Sequence, residues 1–250
     1  MNVRNSSATL VCLVANFGLA TTAFAQSEAE FSKANQEYAA GHYKEAIDTY
    51  EQVVRAGAFS ANLFYDLGNA YFHTGDFGHA ILNYERALAL DRHHPEAQAN
   101  LRIARDEARA LEMSPGKAEH FAEFASTNQY AIAAAAGFWV AILCFAGWMF
   151  SRRRSGGILA WSLLSLLICA LAITAVLLIG NGSTGGGFAI IVGGETPVRL
   201  ATADTAQSVS VLPAGSEIKI LSKRGDWIFA ELPNDLRGWI PAKSAELVRL

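Results

Sequence analysis

Two stretches of this 250-residue chain carry no charged side chain: Tyr130–Phe150, 21 residues, and Ile158–Ile179, 22 residues. As helices, each is long enough to cross a hydrocarbon core of about 30 Å. A helix that is apolar on every side must be enclosed by apolar material, and nothing else in the chain is apolar enough to enclose two. The segment between them, residues 151–157, is short enough to force a tight hairpin and holds Arg152, Arg153 and Arg154. An arginine trio in a short loop marks the cytoplasmic side of a membrane. The outer flanks hold few basic residues, with Lys117 before the first stretch and none after the second until Arg199. Spans are therefore expected at 130–150 and 158–179 in the lipid bilayer, with both flanking segments on the exterior face.

The remaining charge is divided unevenly. Overall the chain is 52% hydrophobic and 17% charged, with a formal net charge of -3. Soluble chains average about 25% charged residues. Residues 26–129 hold all six His and a net charge of -7, whereas residues 181–250 are neutral. Nothing is basic enough to hold a phosphate backbone, which excludes nucleic-acid binding. Three cysteines exclude a disulfide scaffold. Two of them, Cys144 and Cys169, fall in the apolar stretches.

The first 25 residues read as a secretory signal: Arg4, an apolar run, and small residues at Ala23 and Ala25 before a cut at Gln26. The alternative is a retained N-terminal anchor, and either one exports the segment beginning at Gln26. Val11 before Cys12 argues against a lipid anchor there.

Residues 26–112 repeat with an offset of 34. Gly41 matches Gly75, Ala46 matches Ala80, Ile47 matches Ile81, Tyr50 matches Tyr84 and Glu51 matches Glu85. The second copy reads Phe64, Leu67, Gly68, Tyr71, Gly75, Ala80, Tyr84, Ala87. This period and pattern resemble the tetratricopeptide (TPR) repeat, a pair of helices that stacks on its neighbours. Gly68 and Ala80 are small where two helices cross. In the first copy Phe31, Ala34 and Tyr38 sit one residue nearer Gly41 than the pattern wants, so a shortened turn is expected. Pro95 opens a further helix, expected to run through Leu111 and to cap the open end. About three copies are usually needed for a stable array. Two and a cap would therefore gain from packing on something else. The resemblance implies a concave surface for a protein segment, lined by Tyr65, Asn69 and Phe72. The other reading of those three residues is an ordinary solvated helix face. The net charge of -7 favours neutral or basic partners.

Chemistry-bearing patterns are missing. His73 and His79 do not share ligand spacing, and His93–His94 reads as a solvated loop pair, so no metal site is assigned. No nucleophile motif, phosphate loop or paired-carboxylate cleft is found, so neither a catalytic residue nor a cofactor is expected. Gly180-Asn-Gly182-Ser-Thr-Gly185 spells a dinucleotide fingerprint, but an apolar span precedes it where a strand is required. It is read as a tether over 180–187.

From residue 188 helical periodicity gives way to short β-rich runs: Phe188–Val192, Thr196–Leu200, Glu217–Leu221, Trp227–Leu232 and Gly238–Ile240. Turns fall at Leu212–Gly215, Arg224–Asp226 and Pro233–Asp235, a spacing that suggests a compact barrel or sandwich. The run from Leu212 to Ile240, with Gly225-Asp-Trp227 and Gly238-Trp239, resembles bacterial SH3-type (SH3b) domains. That likeness implies binding of cell-wall peptides or protein segments, with Trp239 the better aromatic candidate and Trp227 read as core.

The fold class expected is thus a multidomain membrane protein: an all-α TPR-like repeat (26–112), a juxtamembrane segment (113–129), a transmembrane helical hairpin and a small all-β SH3-like barrel (188–250). In that order the parts resemble the BatE-like proteins of bacterial aerotolerance operons. The resemblance implies a non-enzymatic scaffold of the bacterial inner membrane, with both soluble domains periplasmic. Its implied partners are membrane proteins with von Willebrand A domains, in an envelope stress or aerotolerance complex. The alternative is an envelope sensor that binds peptidoglycan through the SH3b domain.

Overall fold

The computed structural model describes residues 27–114, 125, 127–150, 156–181 and 187–249. The expected signal segment, Arg152, Arg153, Arg154 and most of the Gly-rich tether lie outside the described residues.

Five helices form the first unit: α1 (27–39), α2 (Tyr43–Arg55), α3 (Ala61–His73), α4 (Phe77–Leu90) and α5 (Pro95–Ala108). The starts of α3, α4 and α5 are fixed by caps. The side chains of Ser60, Asp76 and His94 accept from the backbone N–H three residues on, and Pro95 takes the first position of α5. Within each copy the helices meet through small residues. A Cβ on Gly68 would stand 2.7 Å from the Tyr84 ring, and the matching Ala34 and Ala46 are fully buried beside Tyr50.

The first copy's turn is not shortened. Gly41 (φ 81°) and Gly75 (φ 78°) both adopt the left-handed backbone that suits glycine, and the helices before them end at residues 39 and 73, a full repeat apart. Tyr38 is therefore the counterpart of Phe72, not of Tyr71. The place of Tyr71 is held by Glu37, which accepts a 2.8 Å hydrogen bond from Thr49. Of the aromatic residues of α1, Tyr38 lines the groove, whereas Phe31 packs on Tyr50 inside the helix pair, with ring centroids 5.9 Å apart.

At the same offset α5 matches α3, with Ala97, Leu101 and Ala104 in the places of Leu63, Leu67 and Ala70. It is the first helix of a third copy. It stops three residues before the expected Leu111, because Arg109 turns left-handed (φ 51°) and the chain leaves to join the sheet. There the Leu111 N–H donates to Ser216 Oγ (3.1 Å), the Glu217 N–H donates to the Leu111 carbonyl (2.9 Å), and the Met113 N–H donates to Glu217 Oε2 (2.7 Å).

Two long helices come next, α6 (Thr127–Phe150) and α7 (Gly156–Asn181), packed against each other. Ser162 donates to the Ala141 carbonyl at 3.0 Å, so its hydroxyl is satisfied inside the pair. The other faces expose Phe138, Trp139, Leu143, Trp161 and Leu171. Both helices are long and apolar enough to cross a membrane.

The last unit is an antiparallel sheet of seven strands: β1 (Phe188–Ile191), β2 (Thr196–Arg199), β3 (Ser208–Leu212), β4 (Glu217–Arg224), β5 (Trp227–Glu231), β6 (Arg237–Pro241) and β7 (Ala245–Leu247). Their order across the sheet is β3-β2-β6-β5-β4-β1-β7. Neither β3 nor β7 is among the β-rich runs expected from sequence. Val198, Leu212, Ile218, Ile228, Ala230 and Ile240 point to one side and form the sheet's core.

β1 is buried on both faces. Strand alternation sends Ala189 and Ile191 into the sheet core, and Phe188 and Ile190 into the core of the helices. The sheet thus covers α4 where the second helix of a third copy would have packed. The helical unit and the sheet are joined by a shared core.

Candidate partner-binding groove

α1, α3, α4 and α5 curve around a groove of ≈ 230 Å³ lined by Tyr38, Tyr65, Asn69, Phe72, His73, Tyr84, Asn100 and Ile103. Tyr65, Asn69 and Phe72, singled out from the repeat pattern, come together here. They lie four and three positions apart on one face of α3, which sets them in a row. Asn69 ties three helices together: its Oδ1 accepts from the Tyr84 hydroxyl (2.8 Å) and from Asn100 Nδ2 (2.8 Å). Burial raises the Tyr84 hydroxyl pKa well above its ordinary value. His73 stacks on Tyr43 at 4.4 Å with the rings 5° from parallel, and Tyr38 meets it edge-on at 5.7 Å. Ile103 is 48% exposed at the rim. The groove therefore offers aromatic and apolar walls with an amide floor. Among its lining residues is no Lys, Arg, Asp or Glu.

Trp239 does not line it. It sits on the outer face of the sheet, half-buried, with its ring 5.1 Å from Phe229. Trp227, read from sequence as core, is half-buried on the same face, because β5 alternates inward only at Ile228 and Ala230. Arg199 pairs in register with Trp239, so a polar group borders the aromatic strip.

His93 is the exposed turn residue expected, but His94 and His79 are not solvated loop residues. His94 caps α5 and lies 4.9 Å from Tyr65. His79 Nδ1 is 2.8 Å from Asp76, and its ring stacks on Tyr71 at 4.9 Å. Its pKa is raised, chiefly by the hydrogen bond to Asp76, against the opposing effect of burial. Among the described residues no group of three His, Cys, Asp or Glu could hold a metal ion.

The seam between helices and sheet is a second concentration of charge. Arg105 of α5 reaches Glu85 (2.6 Å), Glu112 (3.1 Å) and Glu217 of β4. Burial pushes the Glu85 carboxyl up to about 7, against the pull of Arg105. Beside it Arg86 donates to Glu246 (3.2 Å) and to the Leu247 carbonyl (3.0 Å). The sequence holds a cue to this seam: α4 breaks the repeat with Gly78 and Leu82 where α2 has Lys44 and Asp48.

Residues 61–94, covering α3, α4 and the loop after it, match the family model of the tetratricopeptide repeat. Among solved structures the chain is similar to YrrB, titled "a TPR protein with an unusual peptide-binding site", at 22% identity over 60% of this chain and 73% of that one, with a TM-score of 0.31. No curated protein matches the chain. The repeat accounts for the groove: helix pairs of this kind stack with their first helices on the inner curve, and Tyr65, Asn69 and Phe72 belong to such a helix.

Proposed function

We propose that this chain is a non-enzymatic membrane-anchored adaptor that holds a segment of a partner protein in the groove of its helical repeats. The observation that carries the reading is the convergence of Tyr65, Asn69 and Phe72 of a tetratricopeptide repeat on one groove with no charged lining residue. In this reading α6 and α7 cross the bacterial inner membrane, Arg152, Arg153 and Arg154 stay in the cytoplasm, and the helical array and the sheet, an SH3-like module, are both periplasmic. The seam supports it: two units that share a core must lie on one side of the bilayer, and a hairpin returns the chain to the side it left. The aerotolerance or envelope stress role, with partners that carry von Willebrand A domains, rests on the order of the parts.

Photo-crosslinking in intact membranes tests the adaptor reading. A crosslinker at position 65 or 72 should capture a partner protein that one at the exposed position 44 does not. No capture, or equal capture from all three, overturns it. A reporter that fluoresces only in the cytosol, fused to Leu250, should stay dark.

One observation favours a second reading, a sensor of the cell wall. Trp227, Phe229 and Trp239 leave an aromatic strip half-exposed on the outer face of the sheet. Co-sedimentation of the detergent-solubilised full chain with purified sacculi, lost in Trp239→Ala, would favour it over the adaptor.

A further inference from the structure

We infer that the outer face of the sheet seats on the bilayer surface, with Trp227, Phe229 and Trp239 at the level of the lipid headgroups and Arg199 and Arg224 on anionic phosphates. The inference rests on the reading of α6 and α7 as membrane spans, and it gives the aromatic strip a different occupant from the cell wall.

Strand register defines the face. Phe229 pairs with Ser222 and with Trp239, and Trp239 pairs with Arg199, so one row crosses β4, β5, β6 and β2 and ends on an arginine. A second row sets Trp227 between Arg224 and Pro241. Residues paired directly across strands share a face. The opposite face is closed by Ile228, Ala230 and Ile240 in the sheet core. The helical unit covers the outer face at β1, where Phe188 and Ile190 enter its core, and the two rows lie beyond it with Ser222 and Arg224 exposed.

The charge on these rows is unmatched. Arg199 donates to the Ala206 carbonyl at 2.9 Å, a neutral acceptor. Among the described residues no acid pairs with Arg199 or Arg224. The nearby carboxylate of Glu231 is taken by Arg237 at 2.7 Å. Residues 181–250 are neutral as a whole, so the rows hold a local excess of positive charge. Tryptophan rings, apolar with one polar edge, favour the headgroup level of a bilayer. Guanidinium groups fork onto phosphate oxygens, and an anionic surface attracts each basic side chain.

Reach selects the occupant. Residues 182–187 join Asn181, at the end of α7, to Phe188, and six residues span about 20 Å at most. In the spanning reading α7 ends at the headgroups, so the sheet is held beside a lipid surface at all times. A wall polymer would have to compete with that surface for the same open rows.

The test places a photo-reactive amino acid at Ser222, in the full chain reconstituted into nanodiscs of phosphatidylcholine alone or mixed with phosphatidylglycerol. Lipid adducts are read by mass spectrometry. Position 171, exposed on α7, reports insertion, and position 44, exposed on α2, gives the background. Position 222 should catch lipid well above position 44, and about fivefold more or better with phosphatidylglycerol present, the effect of one basic side chain near an anionic surface. The double variant Arg199→Gln, Arg224→Gln keeps polar side chains at both sites and should remove that gain with circular dichroism unchanged. Capture at position 222 no higher than at position 44, with position 171 labelled, overturns the inference and leaves the spans standing. Equal capture from both discs, or a gain that survives in the double variant, overturns the role of the arginines. If position 171 catches no lipid, the spanning reading falls and the inference falls with it. Sacculus binding that Trp239→Ala abolishes, with no lipid at position 222, gives the face to the wall and overturns the inference.

Discussion

Along one stripe α2 carries Lys44, Ile47, Asp48, Glu51 and Gln52, where α4 carries Gly78, Ile81, Leu82, Glu85 and Arg86. The spacing is that of a single helix face. On α2, Lys44, Asp48 and Gln52 are exposed, whereas on α4, Gly78, Ile81 and Leu82 are buried under the sheet. The residues that hold each helix pair together, Ala46 with Tyr50 and Ala80 with Tyr84, are the same in both copies. The repeat pattern therefore encodes the pair, and the departures from it encode the neighbour. Two copies and one extra helix are fewer than such an array usually needs, and the sheet supplies the missing neighbour to α4.

The comparison breaks most visibly at Arg105. Its removal leaves Glu85 and Glu217 without a counter-charge in a mostly buried seam, a change that costs about 3–5 kcal/mol in comparable sites. In Arg105→Ala, hydrogen exchange should accelerate at the Leu111, Ile191 and Glu217 amides, which hold the seam, and stay unchanged at Ala46 in the first copy. Equal acceleration at both would show that the two copies are not energetically distinct.

Next comes the reversal of the stripe itself. A Cβ at position 78 would lie 3.0 Å from the Val192 carbonyl oxygen and 3.1 Å from that of Ile191. Gly78→Lys, which restores the residue of the first copy, should overpack the seam by about 1–3 kcal/mol. The reciprocal Lys44→Gly should cost at most about 1 kcal/mol, the helix-propensity difference alone. The same exchange measurement reads both.

A pH series sharpens the contrast further. Glu85 is raised from an ordinary 4.5 to about 7 in the folded chain, so folding favours its protonated form. The stability linked to that proton is fully present below about pH 4.5 and lost as the pH rises through about 7. His79, raised above 6.5 by its hydrogen bond to Asp76, acts in the same direction at the same seam. Seam protection, corrected for the intrinsic pH dependence of exchange, should be greater at pH 5.5 than at pH 8. Glu85→Gln should flatten the profile, and Glu45→Gln on the exposed face of α2 should leave it unchanged.

Much of this architecture is legible from spacing alone. The 34-residue offset marks both helix pairs, Gly41 and Gly75 mark their turns, and the row Tyr65, Asn69, Phe72 follows from helical geometry. What escapes is whatever depends on a distant partner. β3 is missed although Ser208–Val211 alternates, because its valines turn outward and stay exposed, and Leu212, its buried residue, opens the run read as a turn. Tyr38 is misplaced because an aromatic side chain suits the groove position and the helix-pair position equally well. Arg109 ends α5 against a continuing helical pattern because Ser216 and Glu217, more than a hundred residues away, bind the chain just beyond it. The amide floor of the groove escapes as well, because Asn100 gains its meaning only when it is seen bonded to Asn69 across two helices.

That bond gives the smallest effect and the finest comparison. Tyr84 and Asn100 both donate to Asn69, so losing either leaves the oxygen one partner, and losing both leaves it none. Tyr84→Phe and Asn100→Ala should each cost about 0.5–1.5 kcal/mol. The double variant should lose more than their sum by about 0.5 kcal/mol or more, read from exchange of the α3 amides. In the first copy Tyr50 donates to Asn35, and an ionised Asp66, which stands one repeat before Asn100, donates nothing. Tyr50→Phe with Asp66→Ala should therefore be additive at pH 8. A first-copy cycle coupled as strongly as the second would mean that Asp66 bonds Asn35, and the difference between the two copies would disappear.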